Sequence, residues 1–486
     1  MRPTDAPPTL LRQAISHSAQ YGAAALVSRV ASLLIVPIYT RVLAPTDYGQ
    51  LDLLIAFGSL VQLTVALEVS QGLARQYGDA DATDRRLLAS TALWFSVAAY
   101  LAFGLVAVAL AAPLAELVIG EPESGLIVAA AIWISSGGIF NLVLNQLRWM
   151  LDPRGYAAVS VAATAVTIVV SVSLVAGTSL GVLGVLLGGA IGNVVGLAAG
   201  AFRARSVYGP AFSSDRLRQM LAFSLPLVPS AIAVFVTLYI DRISISRLMT
   251  TADVGIFGIG YRLATVTSLL MAAFQTAITP LVYQRYREVD APAQLAGVFR
   301  AFAAVALGLS LALAMFANEA MRIFTTPPFY AGATVVPLLA PALILSGMYV
   351  LAPGLTIAKR TGAIAVVSGA GALVNTSLNL ALIPLLGIRG AALATFLGAA
   401  STFAAYMVLS QRLYPVPHRW RPLGLAAAGS VVVFIATRSV EGIPVIEPLA
   451  ELGGLAIAGL LFVRLGLLEP APVIARIRAV GGGTAR

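Results

Sequence analysis

Residues 156–177 read YAAVSVAATAVTIVVSVSLVAG, 22 consecutive positions without a charged side chain. At 1.5 Å per residue a helix of this length spans about 33 Å, enough to cross the roughly 30 Å hydrocarbon layer of a bilayer. A helix apolar on every face has no solvated side and is predicted to sit in lipid, where its main chain is satisfied internally. Similar runs extend toward the N-terminus at 18–40, 51–72, 87–111 and 125–147, and the next one follows at 182–202. A second series occupies 220–248, 254–281, 298–318, 332–351, 364–384 and 391–410, and shorter runs at 423–437 and 449–466 close the chain. The expectation is an all-α integral membrane protein with about fourteen transmembrane helices.

Composition leaves little room for anything else. Of 486 residues 59% are hydrophobic and 11% charged, with a mean hydropathy of +0.90, against roughly 25% charged residues in soluble domains. Connections between spans are short, so no soluble domain fits. The absence of cysteine excludes disulfides, thiolate metal sites and a cysteine nucleophile. His17 and His418 both fall outside the apolar runs and read as solvated loop residues, so neither a metal nor a cofactor is expected. The net charge of +10 is spread over short loops and does not form a nucleic-acid-binding module. Residues 1–17, with Pro3, Pro7 and Pro8, lack the apolar core of a cleavable signal peptide, so the first span is expected to direct insertion.

Orientation follows from the basic residues. With the N-terminus cytoplasmic, 23 of 31 fall in the tails and the even-numbered connections. Five lie on the opposite side (Arg41, Arg247, Arg322, Arg389 and Arg438), and three lie within spans (Arg29, Arg242 and Arg262). This is the positive-inside distribution, and it places both termini in the cytoplasm. The chain also repeats at an offset of 206 residues: Arg41, Asp47, Gly49, Arg154, Gly181, Gly184 and Gly192 match Arg247, Asp253, Gly255, Arg360, Gly387, Gly390 and Gly398. Two sets of six spans then enter from the same side, a parallel repeat about a pseudo-two-fold axis normal to the membrane, with a C-terminal helix pair added. The expected organisation is a cytoplasmic segment 1–17, an N-lobe 18–202, an inter-lobe linker 203–219, a C-lobe 220–410, the last two spans within 411–467, and a cytoplasmic tail 468–486.

YTRVLAPTDYGQL at 39–51 resembles the loop after the first span in polysaccharide flippases of the Wzx type. LRQMLAFSLPLVPS at 217–230 is similar to the start of their seventh span, and YIDRISISRLMTTADVGIFGIGYRLA at 239–264 to the hairpin that follows. The likeness covers most of 18–410. The same superfamily holds lipid II flippases of the MurJ type and multidrug MATE antiporters. The resemblance implies two six-helix lobes in a V, alternating access, residence in the bacterial inner membrane, and undecaprenyl pyrophosphate bearing a short oligosaccharide as substrate. Membrane lipids are implied partners, and a coupling ion, proton or sodium, is left open.

Charged groups inside spans cost about 2.5–3.5 kcal/mol near the centre, so they mark cavities or partners. Arg29 lies midway in the first span beside Tyr21, Ser28, Ser32 and Tyr39, and its guanidinium suits a pyrophosphate through paired hydrogen bonds. The alternative is a structural pair with Glu68 of the second span. Asp241 and Arg242 lie late in the seventh span and Arg262 early in the eighth; Asp241 could pair with Arg262, leaving Arg242 for substrate. Arg262, Thr265, Ser268, Gln275, Thr276 and Thr279 share an arc of about 140° on an ideal helix, a polar route for sugars. Asn375 and Asn379 suit sugar hydroxyls and interhelical hydrogen bonds equally.

Glu68 and Asp241 are the deep acids available to a coupling ion or an ion pair. Outer-loop carboxylates group as Glu116, Glu121 and Glu123, and as Glu441 with Glu447, and read as solvated. No large loop positions a catalytic group, so an enzyme is not expected. Lipid II transport, cation-coupled drug antiport and, from a different class, glycan polymerisation or transfer are the alternatives. The cationic balance of the intramembrane charges favours an anionic substrate.

Overall fold

The structure, a computed structural model, describes residues 35–439 and 446–468. Among the described residues every regular element is helical. The first expected span lies outside them except for its end, which continues as α1 (Val36–Val42). Then come α2 (Pro45–Thr64), α3 (Val69–Tyr77), α4 (Ala82–Ala109), α5 (Ala111–Ile119), α6 (Ser124–Trp149), α7 (Pro153–Gly177), α8 (Gly181–Arg203), α9 (Ser214–Ser224) and α10 (Val228–Leu248). They are followed by α11 (Thr251–Ala264), α12 (Val266–Arg285), α13 (Ala291–Met315), α14 (Ala317–Phe324), α15 (Val336–Gly347), α16 (Gly354–Ile357), α17 (Thr361–Leu386), α18 (Ile388–Leu413), α19 (Trp420–Arg438) and α20 (Ile446–Arg464). Twelve of these segments are long and apolar enough to cross a membrane, or thirteen if the bent pair α2 and α3 is one span. They correspond in order to the second through fourteenth expected runs.

Local chemistry explains the helix starts. Asp81 accepts from the amides of Thr83 and Asp84 at 2.9 and 2.8 Å and so caps α4. Proline stands in the first turn of α2 and α7, where its missing N–H is not needed. Asp152 caps α7 through the Gly155 amide at 2.9 Å and also pairs with Arg203, which holds its carboxyl below the usual carboxylate range. Gly181 and Gly387, at positive φ of 50° and 61°, turn the chain between α7 and α8 and between α17 and α18.

Packing divides the chain into two units, one holding residues 1–256 with 324–329, the other 257–323 with 330–486. The division falls after Ile256. The reason is that α10 packs along α2, and that the linker is itself fastened to α4. Trp94 Nε1 donates to the Gly209 carbonyl at 2.9 Å, the Gly209 amide donates to Ser90 Oγ at 2.9 Å, and Arg216 holds Asp84 at 2.6 Å. In the second unit, Met271, Phe299, Phe302, Met348, Tyr406 and Met407 form the principal apolar core, with the Phe274 and Phe302 rings 4.1 Å apart.

Two features differ from the sequence expectation. The second span is broken: α2 and α3 meet at 47°, and Leu67 and Glu68 both adopt left-handed backbone, at φ 49° and 53°. Neither is glycine, so nothing in residue type announced the break. It is held from outside, by Ser224 Oγ donating to the Leu67 carbonyl at 2.7 Å and by the Met220 backbone lying where a Cβ on Gly72 would stand. His418 is not solvated but sits between the rings of Phe299 and Trp420, at 4.4 and 5.0 Å. His17 lies outside the described residues.

The matched positions near the heads of α2 and α11 make a reciprocal contact within the first unit. A Cβ on Gly49 would overlap the Thr251 carbonyl oxygen, and one on Gly255 would overlap that of Pro45. Exchanging each residue for its counterpart 206 positions away converts one contact into the other. Asp47 caps the Ala44 amide at 2.8 Å and Asp253 caps the Thr250 amide at 3.1 Å, a second equivalence at the same place.

Candidate functional site

In α2, Asp52, Ser59 and Gln62 stand seven and three residues apart, within about 80° of one another on an ideal helix. Each meets a polar partner inside the first unit. The Arg242 guanidinium of α10 donates through Nε to Asp52 at 3.3 Å, and through Nη1 to the Leu238 carbonyl at 3.2 Å. Its charge also lies 5.5 Å from the Tyr239 ring centre. Tyr239 stacks on Phe235 and its hydroxyl accepts from Ser59 Oγ at 2.9 Å. Asn141 of α6 donates to Gln62 at 3.4 Å, and Asn193 of α8 donates to the Trp133 carbonyl at 3.2 Å nearby on α6. The result is a polar seam joining α2, α10 and α6 through an apolar bundle.

Its electrostatics are set by burial. The Arg242 and Asp52 side chains are 8% and 5% exposed, so each charge has lost most of its hydration and depends on the other. Asp241, also buried, points from the neighbouring position on α10. The sequence expectation pairs Asp241 with Arg262 and turns Arg242 toward substrate; within the first unit Arg242 also meets a carboxylate, Asp52 of α2. An acid at the expected start of a span, as Asp52 is, reads in sequence as an interfacial residue. Its spacing with Ser59 and Gln62 was the available signal.

Arg29 lies outside the described residues. Glu68 stands at the break between α2 and α3, half-buried, at the head of α3. Arg262 lies in the last turn of α11, in the second unit. Asn379 Nδ2 donates to Asn375 Oδ1 at 2.7 Å and to its carbonyl at 3.0 Å, and both residues are buried where α17 packs on α18 against Gly398.

One carboxylate group reads differently from the sequence. Glu447 is not solvated: it is buried with Glu451, and the two approach Glu319 with carboxylate oxygens within 4.8 Å of one another. Helix periodicity brings Glu447 and Glu451 to one face of α20, and tertiary packing adds Glu319. Glu441 lies outside the described residues.

The family model described as polysaccharide biosynthesis protein matches residues 38–349, which include α2, α10 and the whole polar seam. The chain belongs to the polysaccharide biosynthesis protein family. No curated protein matches the sequence. Among solved structures, this family member is similar to the lipid II flippase MurJ in an inward closed conformation, with a TM-score of 0.72 at 13% identity, covering 91% of this chain and 98% of that one. It is also similar to a multidrug resistance MATE family transporter of the MOP superfamily. The inward-facing form gives a TM-score of 0.63 at 16% identity, covering 79% and 94% of the two chains. The outward-facing form gives 0.58 at 15% identity, covering 84% and 96%. The fold is shared with these MurJ and MATE structures at 13–16% identity.

Proposed function

We propose that this protein translocates an undecaprenyl-pyrophosphate-linked oligosaccharide from the cytoplasmic to the outer leaflet of the inner membrane by alternating access, for assembly of cell-surface polysaccharide. The observation that carries this reading is the polysaccharide biosynthesis family match across 38–349, laid on a fold shared with a lipid flippase. A sugar head group cannot cross hydrocarbon unaided, because each stripped hydroxyl forfeits a hydrogen bond to water. A transporter for it needs polar side chains at membrane depth, and the α2–α10 seam supplies them.

In this reading Arg29, Arg242 and Arg262 are the proposed cations for the pyrophosphate, and Asn375 and Asn379 the proposed amides for sugar hydroxyls; Arg242 also meets Asp52. Asp241 and Glu68 are the proposed acids for a proton or sodium ion, Glu68 because it stands at a helix break, where a change of charge can bias the backbone. The TM-score of 0.72 with the MurJ structure makes lipid II the second reading for the cargo.

The test is deletion of the gene and re-expression from a plasmid. Loss of surface polysaccharide, with the lipid-linked precursor retained on the inner leaflet and release of both defects by the wild-type chain, is the expected result. Normal surface polysaccharide in the deletion strain would overturn the reading, and arrest of cell-wall synthesis in its place would move it to lipid II.

A further inference from the structure

We infer that the second unit carries a subsite for a single neutral sugar ring, between α12 and the break that follows α15; this rests on the glycan reading above and specifies how the sugar is held. The tenth expected span, 332–351, ends in irregular backbone. Helix α15 ends at Gly347, a 3-10 turn covers Met348–Leu351, Ala352 leaves helical geometry at ψ 65°, and α16 restarts after Pro353. Sequence and packing both require this. Pro353 has no amide to continue a helix, and the Gly354 amide is committed to Ser410 Oγ at 2.7 Å. Irregular backbone within a membrane bundle is stable only where protein buries it or where it lines a polar cavity.

A cavity of about 220 Å³ lies at this break. Gln275, Thr279 and Tyr283 of α12 line one side, Tyr349, Pro353 and Thr356 the other. Gln275 Nε2 donates to the Gly347 carbonyl at 2.8 Å, which fixes the amide and leaves its Oε1 to accept. Thr279 Oγ1 donates to the Gln275 carbonyl at 2.6 Å and retains lone pairs toward the space. Tyr283 and Tyr349 are 46% and 48% exposed, and one side of the Tyr349 ring meets that of Tyr406 at 6.0 Å.

The lining selects the ligand class. No lining residue is charged, so the space has no cation for a pyrophosphate and no carboxylate for an organic cation. Two tyrosine rings offer flat apolar faces with polar edges, and two threonines and a glutamine offer short-range donors and acceptors. A neutral sugar ring has that same pairing of a C–H face and a hydroxyl rim. Drug-sized pockets run to about 300–1,000 Å³, so the smaller space suits one ring rather than an oligosaccharide. Arg285 ends α12 and Arg287 follows it, and Lys359 and Arg360 follow α16, so the subsite lies near the basic end of its helices. By the charge bias that end is cytoplasmic, the side from which the proposed cargo is taken.

The experiment is saturation-transfer NMR on the full chain in lipid nanodiscs, using methyl glycosides of glucose, galactose, mannose and N-acetylglucosamine as probes. At least one glycoside should receive saturation on its C–H face, and excess inorganic pyrophosphate should not displace it. Tyr283→Ala and Thr279→Val should each weaken binding about tenfold, as loss of one stacking or hydrogen-bonding contact in a small ligand would. Tyr283→Phe, which keeps the ring, should bind nearly as wild type, and a shared circular dichroism spectrum checks folding. No transfer from any glycoside, displacement by pyrophosphate, or unchanged binding in both Tyr283→Ala and Thr279→Val would overturn the subsite. The two readings fail separately. Glycoside binding in a protein whose deletion leaves surface polysaccharide intact would sink the flippase and keep the subsite, whereas dependence of export on the protein with normal export and binding in Tyr283→Ala and Thr279→Val would sink the subsite alone.

Discussion

The guanidinium of Arg242 lies 3.3 Å from the carboxylate of Asp52, 190 residues away in sequence, and neither side chain is more than 8% exposed. Removing one member strands the other in a medium that cannot solvate it. Asp52→Leu is expected to destabilise the first unit by about 3–5 kcal/mol, and adding Arg242→Met should recover most of the loss. The thermal midpoint of each variant in one detergent checks this; equal midpoints for Asp52→Leu and wild type would mean that Arg242 is neutralised by something else.

The reciprocal glycine contact makes a second expectation. Gly49→Val and Gly255→Val each place side-chain atoms against a backbone carbonyl that no rotamer change can move. Each should lose about 1–3 kcal/mol of stability and lower the amount of folded protein in the membrane. Gly78, which has open space around its Cβ position, serves as the control, and Gly78→Ala should be near neutral. A Gly49→Val protein as abundant and stable as Gly78→Ala would show that the crossing is loose.

Burial lowers the pKa of His418 from its ordinary value of 6.5, because the aromatic cluster offers neither ring nitrogen a hydrogen-bond partner among the described residues. The folded state therefore binds fewer protons than the unfolded state just below that value. Stability from this group is present above pH 6.5 and declines as the pH falls through 6.5 toward the depressed value. Thermal unfolding from about pH 7.5 to about pH 5.5, roughly one unit on either side of the ordinary histidine pKa, should show a falling midpoint that His418→Phe flattens. A slope unchanged by that substitution assigns the effect to other groups.

Arg29 is expected to act on the cargo rather than on the fold. Arg29→Ala should abolish glycan export per unit of inserted protein at normal abundance, and Arg29→Lys should export poorly, since an ammonium lacks the planar fork that binds a phosphate pair. Reduced abundance with normal export per molecule would instead mark a structural arginine.

The spans, their order and the charge bias of their loops were legible in the sequence because each depends on composition within about twenty neighbouring residues, the length that crosses a bilayer. Certain turns and caps were legible because they demand particular residues: glycine at positive φ in Gly181 and Gly387, aspartate at Asp47 and Asp253. The break between α2 and α3 was not, for Leu67 and Glu68 carry no intrinsic preference for left-handed backbone, and it is Ser224 and Met220, more than 150 residues on, that hold it. The partner of Arg242 and the approach of Glu319 to Glu447 were likewise undecided until helices packed, because a helix face states which residues are polar but not which other helix will meet it. Sequence alone determined that this chain lives in a membrane as a polytopic bundle, a consequence of transfer free energy summed over local segments. Tertiary structure alone decided where its buried charges are matched and where its backbone opens, because both depend on contacts between segments far apart in the chain.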